Sequence, residues 1–396
     1  MNSKEIIKRL QDDGGIWALV EVDISKLSLK SKRNFMNEDI YFKLARVLDT
    51  LPNGFPAAQD GLEITILKKI FTPEDAELFC DLRLTFETAE QIAQRTGRPL
   101  AGLEDSLKTM GKKGQLFSIA MGETRFYRML PWVFGIYEFQ LPRMDREFAE
   151  LNEAYSPIYG QQFFSKTPQL MQTLAIEKSI PVHQEALSYE KVSTIIENGQ
   201  SFLANECVCK KERGLLGHPC DRSTQVCLAI APVPGVFEKS PTGRVITKNE
   251  AYVLLNKAEE EGLVHLTGNV QFGQFFICNC CKCCCGVLRA INELKIPASL
   301  VINSHYYAEI DPETCIACGT CSDARCQVSA IEKTDDTYRI IPERCIGCGL
   351  CIHTCPTESI RLVHKDTENV TAPPVTEMDW FEERGRTRGV DFSGYK

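Results

Sequence analysis

Two runs of four cysteines stand near the carboxyl terminus of this chain. Cys315, Cys318, Cys321 and Cys326 form the first run, C-x2-C-x2-C-x4-C, and Gln327 follows it. Cys345, Cys348, Cys351 and Cys355 form the second, C-x2-C-x2-C-x3-C, and Pro356 closes it. Thiolate is a soft ligand that suits iron–sulfur clusters, zinc and copper(I), and four thiolates complete the coordination of a cubane. A C-x2-C pair lets a short loop bend around one corner of a cube. Gly319, Gly347 and Gly349 permit close backbone approach and positive φ beside the sulfurs. Backbone N–H groups in such loops can donate to cluster sulfur and help set its potential. C-x2-C pairs also build zinc sites, but two interlocked runs of four favour iron–sulfur chemistry and electron transfer.

On these residues, the stretch from 305 to 365 resembles a bacterial ferredoxin carrying two 4Fe-4S clusters. In that family the fourth cysteine of each run serves the other cluster. The resemblance thus implies one cluster on Cys315, Cys318, Cys321 and Cys355, and a second on Cys345, Cys348, Cys351 and Cys326. It also implies a small βαβ pair with pseudo-twofold symmetry. Ile316 and Ile346 are expected to pack inward from the loops. The matching tails at 329–331 and 358–360 are expected to begin short helices or turns, each placing an isoleucine under a cluster.

Ten more thiols lie upstream. Cys207, Cys209, Cys220 and Cys227 have the spacing C-x-C-x10-C-x6-C, and Cys278, Cys280, Cys281, Cys283, Cys284 and Cys285 sit in CNCCKCCC. A lone cysteine such as Cys80 reads as a small buried hydrophobe; six within eight residues do not. Adjacent side chains diverge, so Cys280 and Cys281 suit two clusters, or one larger cluster with several faces. One or two further iron–sulfur clusters are the expectation here, with zinc or redox-active thiols as alternatives. The region is similar to uncharacterised ferredoxin-like proteins of strict anaerobes that share C-x-C and CNCC elements. Cys284, Cys285 and Gly286 resemble the CCG motif of heterodisulfide reductases, without that family's full spacing. His218, His265 and His305 are possible additional ligands.

The elements expected to position these thiols follow from the intervening pattern. Residues 187 to 206 read as a helix with Val192, Ile195 and Ile196 inward, delivering Cys207. Thr247 to His265 read as a helix with Ala251, Leu254, Leu255 and Ala258 on one stripe, ended by Gly262. Phe272, Phe275, Phe276 and Ile277 are expected to exclude water from the thiols. A helix after Gly286 is expected to point its amino end at the cysteines, and a hairpin-like return brings both cysteine groups together.

The amino-terminal part carries helix signals instead. Thr72-Pro73-Glu74 opens a helix, Thr88 a second that ends at Gly97, and residues 100 to 110 a third. Residues 114 to 130 alternate around Gly122 like a two-stranded wing. This order, over residues 60 to 131, resembles winged helix-turn-helix domains of bacterial regulators. Glu104 and Asp105 on the third helix give poor footing for phosphate contacts, so nucleic acid is not the expected partner. Trp132, Phe134 and Tyr137 read as an inter-domain core leading into a long helix.

Composition fits an intracellular redox protein. Of 19 cysteines, 18 lie after residue 200, in a chain of 396 residues with net charge −8. A secreted disulfide scaffold would be short and cysteine-dense throughout. The start MNSKEIIKRLQDD has no apolar signal core, and no apolar run reaches a membrane span, so a cytoplasmic protein of an anaerobe is expected. Glu309 to Lys365 hold nine acidic and six basic side chains, net −3, which suits docking to a basic redox partner. No G-x-G-x-x-G or G-x4-G-K-S/T marks a nucleotide cofactor, and no nucleophile or H-E-x-x-H motif appears.

The expected fold is a multidomain α+β chain. A winged-helix-like domain spans 1–135, an α-helical cysteine-rich domain 136–304, a dicluster ferredoxin domain 305–366, and an extended tail 367–396. The expected function is relay of single electrons between protein partners. The alternatives are an oxidoreductase subunit with a catalytic cluster in the middle region, and a redox-sensing winged-helix regulator.

Overall fold

The structure, a computed structural model, describes residues 6–11, 17–22, 39–180, 187–238, 240, 242–366 and 370–396. Most of the opening stretch read for a signal core lies outside them. Strands β1 (Ile6–Gln11) and β2 (Trp17–Val22) pair antiparallel. Helices follow at Ile40–Thr50, Leu62–Ile70, Pro73–Phe79, Ala89–Thr96 and Leu103–Lys112. Thr72 opens its helix as expected: its hydroxyl accepts the Asp75 N–H and Pro73 fills the first turn. Thr88 does the same with Gln91, and Gly97 ends that helix at φ 72°. Strands β3 (Leu116–Met121) and β4 (Thr124–Met129) then form a hairpin about Gly122. Leu107, Met110 and Met129 lie in its core.

The middle of the chain departs from the all-helical expectation. It is built on a seven-stranded sheet, ordered β11-β5-β9-β10-β7-β6-β8. Its strands are β5 (Met171–Thr173), β6 (Ser201–Glu206), β7 (Gln225–Ala231), β8 (Arg244–Ile246), β9 (Val264–Gly268), β10 (Phe276–Cys280) and β11 (Ile302–Asn303). Neighbours are antiparallel except β11 and β5. The helix expected over 187–206 covers only Val192–Asn198. Val192, Ile195 and Ile196 do carry helical spacing, but the backbone turns at Gly199 and the run SFLANE becomes β6 between β7 and β8. Likewise Val264 and His265 leave the helix Lys248–Glu260 and enter β9, since Gly262 takes φ 73°. Val226, Leu228 and Ile230 alternate inward along β7.

The long helix Arg146–Phe163 ties these parts together. It packs on Leu62–Ile70 and on two short helices that begin at cysteines, Val208–Leu215 and Gly286–Asn292. Glu153 on it binds Arg213 of one short helix (3.0 Å) and Arg289 of the other (2.7 Å). Trp132 and Tyr137 are buried, and Phe134 stacks on Phe276 at 4.7 Å, so the expected aromatic joint exists. One hydrophobic cluster runs continuously from the amino-terminal helices into the sheet.

The carboxyl-terminal region holds two small antiparallel pairs: β12 (Tyr306–Ile310) with β15 (Ile360–His364), and β13 (Ile331–Lys333) with β14 (Tyr338–Ile340). The stretch expected to be an extended tail instead contains the helix Glu377–Arg388, capped by Thr376 and ended by Gly389. Its mean polarity hides a sticky face. Trp380 and Phe381 are buried, and the Trp380 indole donates to the Gln169 carbonyl. Arg384 is fully buried over the Phe163 ring and donates to the carbonyls of Phe163, Lys166 and Pro168. Arg388 reaches back to Asp49 and Leu51. The carboxyl-terminal helix thus clasps the end of the helix Ile40–Thr50. Among the described residues, no helix is long and apolar enough to cross a membrane.

Candidate iron–sulfur and metal centres

Residues 306–364 fold with the symmetry their repeats imply. Ala317 and Gly347 take φ 54° and 62°, Gly319 and Gly349 take 79° and 80°, and Ser329 and Glu358 take 52° and 53°. A side chain at Gly347 would strike the Tyr306 carbonyl, so the close approach there requires glycine. The tails at 329–331 and 358–360 start strands rather than helices, and still bury Ile331 and Ile360. The helical parts of the expected βαβ units shrink to a π turn over Cys321–Arg325 and turns at 350–354. That π turn absorbs the additional residue of the first run.

Two cavities open inside this region. One, about 330 Å³, is lined by Cys315, Cys318, Cys321 and Cys355. The other, about 390 Å³, is lined by Cys326, Cys345, Cys348 and Cys351. Each therefore gathers three thiols from one run and the last thiol of the other. Their surroundings differ. At the first cavity Cys318 is exposed, and Ile316 is 62% exposed, against the inward packing expected of it. At the second cavity Ile346 is buried as expected, and burial pushes Cys348 up to about 12 and Cys351 well above the ordinary thiol range. The Ala308 amide lies 3.4 Å from the Cys345 sulfur, and the Ala330 amide 3.1 Å from that of Cys326.

The second cavity is also the one the rest of the molecule holds. Gln327 is buried, and its side-chain oxygen accepts the Lys282 N–H at 2.9 Å, inside the CNCCKCCC segment. Its carbonyl accepts from Asn292 at 2.9 Å, and Arg344 donates to the Val328 carbonyl. The Ile176 amide donates to the Cys348 carbonyl at 3.1 Å. Gln327 was visible in the sequence only as a missing proline.

The ten upstream thiols separate into two groups. Cys278 and Cys280 share one face of β10, while Asn279 between them points away to His265 and the Val226 carbonyl. β7 presents Cys227, the end of β6 presents Cys207, and the two short helices bring Cys209 and Cys285. The protonation of these six thiols is linked from neighbour to neighbour around a closed ring: 207 with 209, then 285, 280, 278, 227 and back to 207. Contacts from Cys227 and Cys280 draw Cys278 down to about 6. Cys209 and Cys280, with the Leu288 and Val287 amides, hold Cys285 well below its usual range.

Cys220, Cys281, Cys283 and Cys284 form the other group, all four sulfurs lying within 4.8 Å of one another. Contacts from Cys281 and Cys284, then Cys220 and Arg222, hold Cys283 down to about 2. The neighbours Cys280 and Cys281 thus serve different groups, as their divergence requires, and so do Cys284 and Cys285. The alternation in FICNC was the signal for this split.

The histidines and phenylalanines fall elsewhere. His265 is buried with Asn279 on one ring nitrogen and Glu259 on the other. His305 binds Glu190, and His218 lies in the turn before Cys220. Phe276 and Ile277 pack inward, but Phe272 and Phe275 are exposed, because β10 starts only at Phe276.

A family model described as a 4Fe-4S dicluster domain matches residues 308–362. No curated protein and no solved structure matches the chain. The matched region and the thiol groups make this an iron–sulfur protein.

Proposed function

We propose that the chain is an electron carrier that passes single electrons between protein partners. In this reading Cys315, Cys318, Cys321 and Cys355 hold one 4Fe-4S cluster, and Cys326, Cys345, Cys348 and Cys351 the second. The donor sets fit: each cavity offers four thiols, and backbone amides already point at the sulfurs. A cubane on four thiolates supplies reversible one-electron uptake. The chain supplies the rest. Exposed Ile316 beside the first cavity, on a region of net charge −3, is the docking patch for a basic redox partner. The second cavity, lined by buried Ile346 and Gln327 and held by the Ile176 contact, is the one tied to the rest of the chain.

The six-thiol ring is read as the seat of a further iron–sulfur group. Among the described residues, no three of its sulfurs lie within 4.8 Å of one another, so the ring is too open for a single ion and has room for an inorganic core. The observation that carries the relay is the Gln327–Lys282 hydrogen bond. It fixes the loop of the second cavity to the segment that supplies Cys278, Cys280 and Cys285 to the ring. The units 1–135, 136–304 and 305–366 then serve as support, inner redox site and entry module.

We read the helices and hairpin between 73 and 129 as a winged-helix-like support rather than a regulator's DNA reader. Lys108 is paired with Glu104 at 2.9 Å and Lys113 with Asp75 at 2.7 Å, leaving little free charge for phosphates.

The test is iron and sulfide content of the anaerobically purified chain, with a redox titration followed by electron paramagnetic resonance. More than about eight irons per chain, with signals beyond two cubanes, is the expected result. Eight would end the ring's role, and an iron-free folded protein would end the whole reading. A signal altered by cyanide would favour the oxidoreductase alternative.

A further inference from the structure

The geometry points to a single zinc ion held by Cys220, Cys281, Cys283 and Cys284, separate from every iron–sulfur group. The sulfurs of Cys220 and Cys281 are 3.7 Å apart, and those of Cys220 and Cys283 are 3.8 Å apart. Cys281 and Cys283 are separated by 3.2 Å, and Cys283 and Cys284 by 3.6 Å. Zinc binds thiolate at about 2.3 Å in a tetrahedron, which sets its four sulfurs about 3.8 Å from one another. Three of these four edges lie close to that spacing, the Cys281–Cys283 edge is shorter, and every pair falls within 4.8 Å, a cluster of the size one ion spans.

A cubane places four irons and four sulfides between its ligands, so it must hold them further apart. The same molecule supplies the comparison. Among the described residues, no three of the eight carboxyl-terminal thiols lie within 4.8 Å of one another, whereas all four of this group do. The tetrad is therefore built to a different scale from the cavities assigned to clusters.

Its setting is that of a closed structural site. Cys281 and Cys284 are buried, Cys220 is half-buried and Cys283 is exposed, so four thiolates surround the centre and no position faces a substrate pocket. Four thiolates on a divalent ion leave a charge of −2. The Arg222 guanidinium lies 3.9 Å from the Cys283 sulfur and is anchored on the Glu261 carbonyl at 2.9 Å. The ion would tie the loop carrying Cys220 to the 281–284 turn. Cys280 and Cys285 flank that turn, so the same tie would keep both in the six-thiol ring.

The proposal is tested on the full chain, purified without air, by metal analysis of the wild type and of Cys220→Ser and Cys283→Ser. About one zinc per chain is expected in the wild type and none in either variant, with the carboxyl-terminal iron retained. Cobalt(II) supplied in place of zinc should give the intense visible absorption of a tetrahedral tetrathiolate, and Cys220→Ser should abolish it. Loss of about four irons in Cys220→Ser would make the site a cubane and overturn the proposal. A single iron with the spectrum of a ferric tetrathiolate would overturn it as well. A variant that fails to fold leaves the cobalt spectrum of the wild type to decide: an octahedral or featureless spectrum refutes the tetrad.

Discussion

The carboxyl-terminal and middle thiols use the same ligand and are held in opposite ways. In the first region each set of three comes from one short loop, and glycine or positive φ at matched positions shapes both loops alike. In the middle, three strands and two helix starts far apart in sequence each contribute one or two thiols to the ring. A local loop can form its site wherever the chain folds locally. A site assembled from β6, β7, β10 and two helices exists only when the sheet exists. The difference predicts where substitutions will act.

The largest effect should come from the ring. Cys280→Ser removes a thiol in contact with both Cys278 and Cys285, and iron beyond the eight of the cubanes should be lost while the cubane signals persist. If the cubane signals fall in parallel, the two regions are not independent sites. The crossed ligand sets come next. Cys326→Ala should erase the same resonance as Cys345→Ala, and Cys355→Ala the same one as Cys315→Ala, at about four irons each. Pairing along the sequence, 326 with 315 and 355 with 345, would contradict the two cavities.

The two cavities should also differ in potential. Solvent exposure and hydrogen bonds to sulfur raise a cluster's potential by stabilising its more negative reduced form. Cys315 faces the Thr337 side chain and two amides that lower its thiol, while Cys348 and Cys351 are dominated by burial. The cluster on Cys315 is expected to reduce first. Gln327→Ala should leave both cubane signals intact and slow electron exchange with the middle site several-fold in rapid-mixing experiments. An unchanged rate would remove the Lys282 contact from the path.

This contrast also explains what was legible in the sequence. The eight carboxyl-terminal thiols could be read because spacing alone determines their loop. The capping signals at Thr72 and Thr88 were equally local, and both cap their helices. The middle sheet was missed because its strands are short and its register is set by partners far away in sequence, as when Met171 of β5 meets Ile302 of β11. The division of ten thiols into six and four depends on that register. The docked terminal helix was hidden differently: Arg384 makes the segment look polar, yet it is buried by carbonyls of 163, 166 and 168 that no local pattern reveals.

The smallest predicted effect tests how tightly the middle site is tied to its scaffold. Glu212 is buried on the short helix that carries Cys209, and accepts from the Tyr137 hydroxyl and from Asn152 at 2.8 Å. Burial outweighs those hydrogen bonds and lifts its carboxyl from 4.5 to about 7. The folded chain therefore keeps a proton that the unfolded chain releases above 4.5. Stability from this group is full below pH 4.5 and is lost as pH rises toward and through 7. A tenfold change in proton affinity is worth about 1.4 kcal/mol, so the loss is on the order of 3 kcal/mol. Glu212→Gln has no proton to lose. Its denaturation midpoint should gain on the wild type steadily from pH 4.5 to pH 8, and the middle-site signal should broaden less over that range. A constant difference between the two proteins would mean that Glu212 is already ionised, and that the scaffold beneath Cys209 carries a charge the six-thiol ring must tolerate.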